Sequence, residues 1–460
     1  MSTILAVTVL LSSVRVATAR PTAQEPFRTA REWAIYEQDN RTCDAGSRTF
    51  AGTVNVIAGK SLFFWFVESR QNPGDRPVLV WLNGCVDGNS WLTLAPLIPL
   101  VKSRKPSVRR LKIHVLRALS YSQLASAGFS TVDDESRMPG ELDDASPDFS
   151  ALISTFFTSI FPQYASNGAI FASESHGGRY VPRYVYDIAR AKRTSREMIA
   201  FPIQLWGIIL IDALSTSSKY FRFNESACTA MAAATAEYEN LFELCEVTHD
   251  PYSCKAAGDF CDNEVGKYFT EEYMSAAGVR TTCANLALSC PCAREPIPRL
   301  GSLNTYLTKP DIQRLLGIGR PVNYSDINYA LNEKWTRNPI VTVPSTSEVV
   351  YLLDEEDLDV LGILPKDKGY WSRRLGNIPG TLRLYDGLGW RGQAGYRAQK
   401  LEERYWKDGS GKASRGGVTK SFRNLQFCSI DDAGHQSPGD QRGAVASLFG
   451  RGLEEIRERG

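Results

Sequence analysis

The stretch FASESHGGRYVP, Phe171–Pro182, decides how the chain is read. An apolar run closes at Ala172, a serine stands between Glu174 and His176, and Gly177 and Gly178 open an amphipathic segment. This is the pattern of a strand handing an exposed nucleophile, Ser175, to a helix through a tight turn. Small residues flank such a turn because it crowds its neighbours against the sheet. After the serine that residue is Gly177; before it stands Ser173, small but carrying a Cβ.

The neighbouring segments supply the frame such a turn needs. Thr49–Ile57 and Ser61–Val67 alternate in polarity and are rich in aromatic and β-branched residues, which predicts antiparallel strands. Pro77–Leu82 (PVLVWL) is continuously apolar, as a strand buried on both faces must be. The spacing of Phe149, Leu152, Ile153, Phe156, Phe157 and Ile160 predicts a helix over Asp148–Phe161, with Ser146 as N-cap and Pro147 at the first helical position. After the turn come a helix through Tyr180, Tyr184 and Ile188 and a buried strand at Leu205–Ile211. Ser215–Ser345 is cysteine-rich and helical in pattern, and strand-like runs return at Leu358–Leu364 and Leu425–Ile430. Buried strands alternating with helices predict an α/β fold with a mostly parallel central sheet covered on both faces.

With 460 residues, 43% of them hydrophobic, the chain has the material for a large core, and its composition excludes disorder and coiled coil. A net charge of +2 gives no argument for nucleic acid or for an acidic membrane surface. Ile4–Leu11 is too short to span a bilayer, and Ala17-Thr18-Ala19 supplies a cleavage pattern, so 1–19 reads as a signal peptide. Sequons at Asn40, Asn224 and Asn323 agree with a secretory route. Seven of the ten cysteines (Cys228, Cys245, Cys254, Cys261, Cys283, Cys290, Cys292) crowd one segment without C-x-x-C pairs, so a disulfide-stapled insertion is favoured over zinc. The division expected is a first core part over 20–214, a helical cysteine-rich cap over 215–345 and a second core part over 346–460. Val101–Arg117 carries seven Lys or Arg and no acid; it reads as a solvated loop in preference to an anion-binding patch.

The turn reads as the nucleophile elbow of an α/β-hydrolase fold, written G-x-S-x-G, with Ser173 replacing the first glycine. A serine nucleophile needs a general base, and the chain has four histidines. His176 adjoins the nucleophile, His249 lies in the cysteine-rich segment and His114 in the basic one. His435, in DDAGHQSP, follows the strand Leu425–Ile430 and is the base expected by placement. One oxyanion donor is the N–H of His176; the other comes from the loop WLNGCVDGNS, Trp81–Ser90.

Three segments, SLFFWFVESRQNPGDRPVLVWLNG, SESHGGRYVP and DDAGHQSP, resemble the signature blocks of serine carboxypeptidases, in particular the carboxypeptidase Y branch. The resemblance implies an α/β-hydrolase core with a helical, disulfide-bearing insertion. It also implies removal of residues from peptide C-termini through an acyl-enzyme, without metal or cofactor. It makes Ser175 the nucleophile, His435 the base and the N–H of Cys85 the second oxyanion donor. Asn83 and Glu174 become the pair that grips the substrate carboxylate, with Glu174 acting as a protonated donor. The chain departs from the family in three places. The Gly-Gly-Pro-Gly-Cys-Ser-Ser loop stands here as Gly84-Cys85-Val86-Asp87-Gly88-Asn89-Ser90, and the Tyr after the nucleophile is His176. In DVLGILPKDKGYWSRRLGN the acid nearest the family's triad position is Asp367, with Asp359 the alternative. A catalytically impaired, peptide-binding homologue and an esterase or acyltransferase are the competing expectations.

Overall fold

In a computed structural model of the chain, the described residues are 32–38, 47–70, 72, 74–84, 117–121, 128–194, 203–211, 225–261, 263–264, 274–275, 278–282, 304–319, 321–325, 328–366, 378–407, 412–433 and 437–459. The signal-peptide region, Asn40, Asn224, Cys85, Asp367 and His435 lie outside them, as do 101–116 of the basic segment. The strands are β1 (Glu32–Gln38), β2 (Thr49–Ile57), β3 (Lys60–Val67), β4 (Val78–Leu82), β5 (Arg117–Tyr121), β6 (Thr131–Val132), β7 (Ala169–Glu174) and β8 (Leu205–Ile211). They continue as β9 (Met274–Ser275), β10 (Gly278–Thr282), β11 (Asp359–Lys366), β12 (Glu402–Lys407), β13 (Ala413–Phe422) and β14 (Leu425–Asp431). The helices are α1 (Leu142–Thr155), α2 (Gly177–Thr194), α3 (Glu225–Thr248), α4 (Pro251–Cys261), α5 (Pro310–Leu315) and α6 (Tyr329–Arg337). Five more follow: α7 (Thr346–Asp354), α8 (Ile378–Gly387), α9 (Gln393–Ala398), α10 (Ser437–Asp440) and α11 (Arg442–Arg459).

One large sheet runs β1-β2-β3-β5-β4-β7-β8-β11-β14-β13-β12, with β6 added beside β3. The block from β5 to β14 is parallel throughout, and antiparallel ribbons flank it on both sides. The mostly parallel α/β fold read from the sequence is therefore the fold observed. β4 shows why its sequence is apolar without a break. Val78, Val80 and Leu82 pack into the cluster beneath α1 and α2, while Leu79 and Trp81 face Ala444, Val445, Leu448 and Phe449 of α11. Alternate residues point to opposite faces, and both faces are covered.

Two expectations are corrected. The helix predicted over 148–161 begins six residues earlier, at Leu142, and Pro147 lies inside it. Asp143 and Asp144 occupy the first turn, where carboxylates suit the positive helix end, and Asp144 Oδ2 accepts from the Gly140 N–H at 2.9 Å. Ser146 is no cap: its hydroxyl donates to Asp187 Oδ2 of α2 at 2.6 Å. The α-helix closes at Thr155, and a π turn carries the chain through Phe156–Ile160. The second correction concerns β11, expected to stop at Leu364; it runs on to Lys366 beside β14. The expected helical, disulfide-bearing segment is present: α3 and α4 are joined by the Cys245–Cys254 disulfide, though a small β9–β10 hairpin follows them. Edge strands β1 and β12, and β13 between β12 and β14, have no counterpart in the sequence reading.

A buried ion pair fastens the β2–β3 hairpin to α1. Lys60 Nζ lies 2.7 Å from Asp148 Oδ2, with side chains only 8% and 9% exposed. Burial outweighs the lysine and raises the pKa of Asp148, so the pair holds a strained balance. Lys60→Met is expected to cost about 3–5 kcal/mol, because the carboxylate stays buried without its counter-charge. A lowered urea midpoint at unchanged m-value is the observation that checks it.

Candidate active site

Parallel strands β4, β7, β8, β11 and β14 end on one edge of the sheet, and Asn83, Glu174 and Ser175 lie at that edge. β7 ends at Glu174, which is level with Ile211 of β8. Ser175 follows with φ +60°, in the left-handed region that residues with a Cβ avoid. Its N–H donates to the Ile211 carbonyl at 2.9 Å, which holds the turn on the sheet. Gly178 N–H then donates to Ser175 O at 3.1 Å and Arg179 N–H to His176 O at 2.9 Å, opening α2. A strained serine between a buried strand and a helix N-terminus is the elbow geometry.

The substitution of Ser173 for glycine is explained by its neighbour. A Cβ added to Gly177 would stand 2.5 Å from the Ser173 Cβ, so only one of the two positions has room for a side chain. The pair is glycine on one side and serine on the other. The Ser173 hydroxyl is buried with no hydrogen-bond partner.

Gly84 approaches the elbow more closely still. A Cβ there would lie 2.4 Å from the His176 nitrogen, 2.5 Å from the Glu174 oxygen and 2.5 Å from the Ser175 Cβ. The loop after β4 thus runs against the backbone N–H expected to face an oxyanion, and only glycine fits. Gly84→Ala is expected to abolish activity in a protein that still folds, checked by titrating Ser175 with an active-site reagent. In register, Leu82 pairs with Ser173, which carries Asn83 level with Glu174. Glu174 is buried, only 3% exposed, and Asn83 is half-buried.

His176 packs its ring edge-on against Tyr180 at 5.2 Å. Burial, and then the nearby Arg179 guanidinium, lower its pKa to about 4, so the imidazole is neutral at weakly acidic pH. The stability that this neutral imidazole contributes is complete above ~6.5, the free imidazole value, and is lost as pH falls toward 4.

Asp359, the alternative acid, is separated from the site. It opens β11 opposite Gly207, whereas Ile363 is the residue level with Ile211. Four residues of strand, ~13 Å, divide Asp359 from the edge that carries Ser175. Lys366 ends β11 opposite Asp431, the last residue of β14. Asp367 is thus the next residue out of β11, and His435 follows β14 by four. Asp432, which follows β14, has φ +60°, and its carbonyl accepts from Gln441 Nε2 at 3.0 Å. Among the described residues, no His, Cys, Asp and Glu cluster could hold a metal ion.

The fold and the strained Ser175 turn define a hydrolase of the α/β class. A model of the serine carboxypeptidase family matches residues 41–90 and 122–455, and the chain belongs to that family. The unmatched interval contains the basic segment. Carboxypeptidase Y homolog A of Trichophyton verrucosum is 27% identical over 442 residues, 89% of this chain and 75% of the relative. Its counterpart in Talaromyces stipitatus is 28% identical over 410 residues, covering 85% and 70%. In structure, the chain is similar to Kex1(delta)p, a prohormone-processing carboxypeptidase from Saccharomyces cerevisiae. The TM-score is 0.67 at 17% identity, with 92% of this chain and 95% of that one covered.

Proposed function

We propose that this protein is a serine carboxypeptidase that releases C-terminal residues of peptides and proteins through an acyl-enzyme on Ser175. The observation that carries the reading is the elbow: Ser175 at φ +60° with the Gly84 backbone packed against the His176 N–H. In this mechanism Ser175 Oγ attacks the carbonyl carbon of the last peptide bond while His435 takes its proton. Asp367 orients His435 and stabilises its imidazolium. The N–H groups of His176 and Cys85 hold the oxyanion, and collapse expels the terminal residue with the proton returned by His435. Water then attacks the acyl-enzyme by the same route. Asn83 and Glu174, side by side at the ends of β4 and β7, take the substrate's terminal carboxylate, with Glu174 protonated and donating.

A peptide with a free C-terminus is expected to be cleaved, and the same peptide amidated there to be ignored. Glu174→Gln keeps a donor that does not titrate, so its activity persists to higher pH than wild type while ester cleavage changes little. Equal cleavage of free and amidated peptides sinks the carboxylate-binding assignment in favour of an esterase or endopeptidase.

A secretory route is part of the same reading. The Cys245–Cys254 disulfide supports an oxidising compartment, and no helix among the described residues is long and apolar enough to cross a membrane. Asn323 is the glycosylation site best supported by its setting. It is exposed in a segment without helix or strand, while the adjacent Tyr324 is buried with its ring 4.7 Å from Phe129. Asn40 and Asn224 are proposed on their sequons alone, and residues 215–345 as the cap over the site.

A further inference from the structure

The first turn of α2, which follows the nucleophile, lacks one of its own hydrogen bonds. The carbonyl of Gly178 would accept from the N–H four residues on, but that residue is Pro182, which has none. Ser345 fills the gap: its hydroxyl donates to Gly178 O at 2.8 Å, and the residue is only 3% exposed. A second tie lies alongside, where Arg179 Nη1 donates to the Val343 carbonyl. Next in the chain, Thr346 Oγ1 donates to Glu246 Oε2 at 3.3 Å. Glu246 adjoins Cys245, whose disulfide to Cys254 closes the α3–α4 hairpin. Thus residues 343–346 bridge the nucleophile helix and the disulfide-closed hairpin.

We infer that Ser345 is a positioning residue for the Ser175 nucleophile, replacing the hydrogen bond that Pro182 removes and tying the elbow to the 343–346 bridge. The inference rests on Ser175 being the nucleophile. Ser175 is strained, so its hydroxyl direction depends on how firmly the adjoining turn is held. Gly178 is three residues away, and the N–H that would ordinarily bond its carbonyl is missing at Pro182. Loss of Ser345 leaves that buried carbonyl bare and frees the turn to shift.

The test measures acylation of Ser175 by a fluorophosphonate, with kcat and KM on a free peptide, well below the unfolding midpoint. Ser345→Ala is expected to slow acylation and kcat by roughly tenfold to hundredfold, with KM within about twofold of wild type. Pro182→Ala on that background restores an N–H to Gly178 O and is expected to recover most of the lost rate. A simple loss of stability would lower the midpoint and leave acylation of the folded enzyme unchanged. If Ser345→Ala does not fold, Ser345→Cys replaces it under the same criteria, since its thiol is near-isosteric and a weak donor. Unchanged acylation in a labelled enzyme, or no recovery with Pro182→Ala, overturns the inference. A folded wild type that takes no label overturns the nucleophile assignment and this inference with it.

Discussion

Ser175→Ala is expected to lose fluorophosphonate labelling entirely and to lower peptide turnover by roughly 10⁶, as removal of a triad serine does elsewhere. The effect is the largest expected anywhere in the molecule, because the attacking atom itself is removed. Ser173→Ala provides the contrast. Its hydroxyl is two residues away, buried and unbonded against Gly177, and it has no path to substrate. That variant should label like wild type, and loss of an unsatisfied buried hydroxyl should leave stability equal or slightly higher. Labelling that survives in Ser175→Ala ends the elbow assignment. A folded wild type that never labels turns the reading toward an impaired homologue that binds peptides without cleaving them.

The elbow was legible because several weak signals agree at one place: an apolar strand, a serine between small residues, and an amphipathic helix. The sequence could not explain why Ser173 is tolerated; that took the contact between its Cβ and the vacant Cβ position of Gly177. The parallel strands were readable for a related reason. Covering both faces demands unbroken apolar runs, as in β4 and β8, and such runs stand out. β1 did not stand out, because Glu32–Gln38 is an edge strand with mixed exposure and no clean alternation. The start of α1 was misplaced because Ser146-Pro147 has the form of a helix start, yet the hydroxyl is engaged by Asp187. The bond between Ser345 and Gly178 joins residues 167 positions apart, and local pattern carries no trace of it.

Asp367→Asn is expected to cut turnover by roughly 10²–10⁴, since the base would then be held in the wrong tautomer. The sheet register supports this acid over the alternative. β11 lies between β8 and β14, and β14 is the strand that precedes His435 in the chain. Pro365 does not end the strand. It pairs in register with Ile430, and Lys366 with Asp431, so β11 continues to the residue before Asp367. Asp359 lies at the other end of the same strand, 7% exposed, four residues of strand from the edge that carries Ser175. Asp359→Asn should therefore disturb packing and leave turnover per folded molecule intact. Both variants are compared at matched folded fraction, with urea unfolding run beside the kinetics. Full turnover in Asp367→Asn together with loss in Asp359→Asn reverses the assignment, and would require β11 to present its first residue to the site. Full turnover in both variants means that His435 keeps its tautomer by another bond, to a backbone carbonyl or a different acid of its loop.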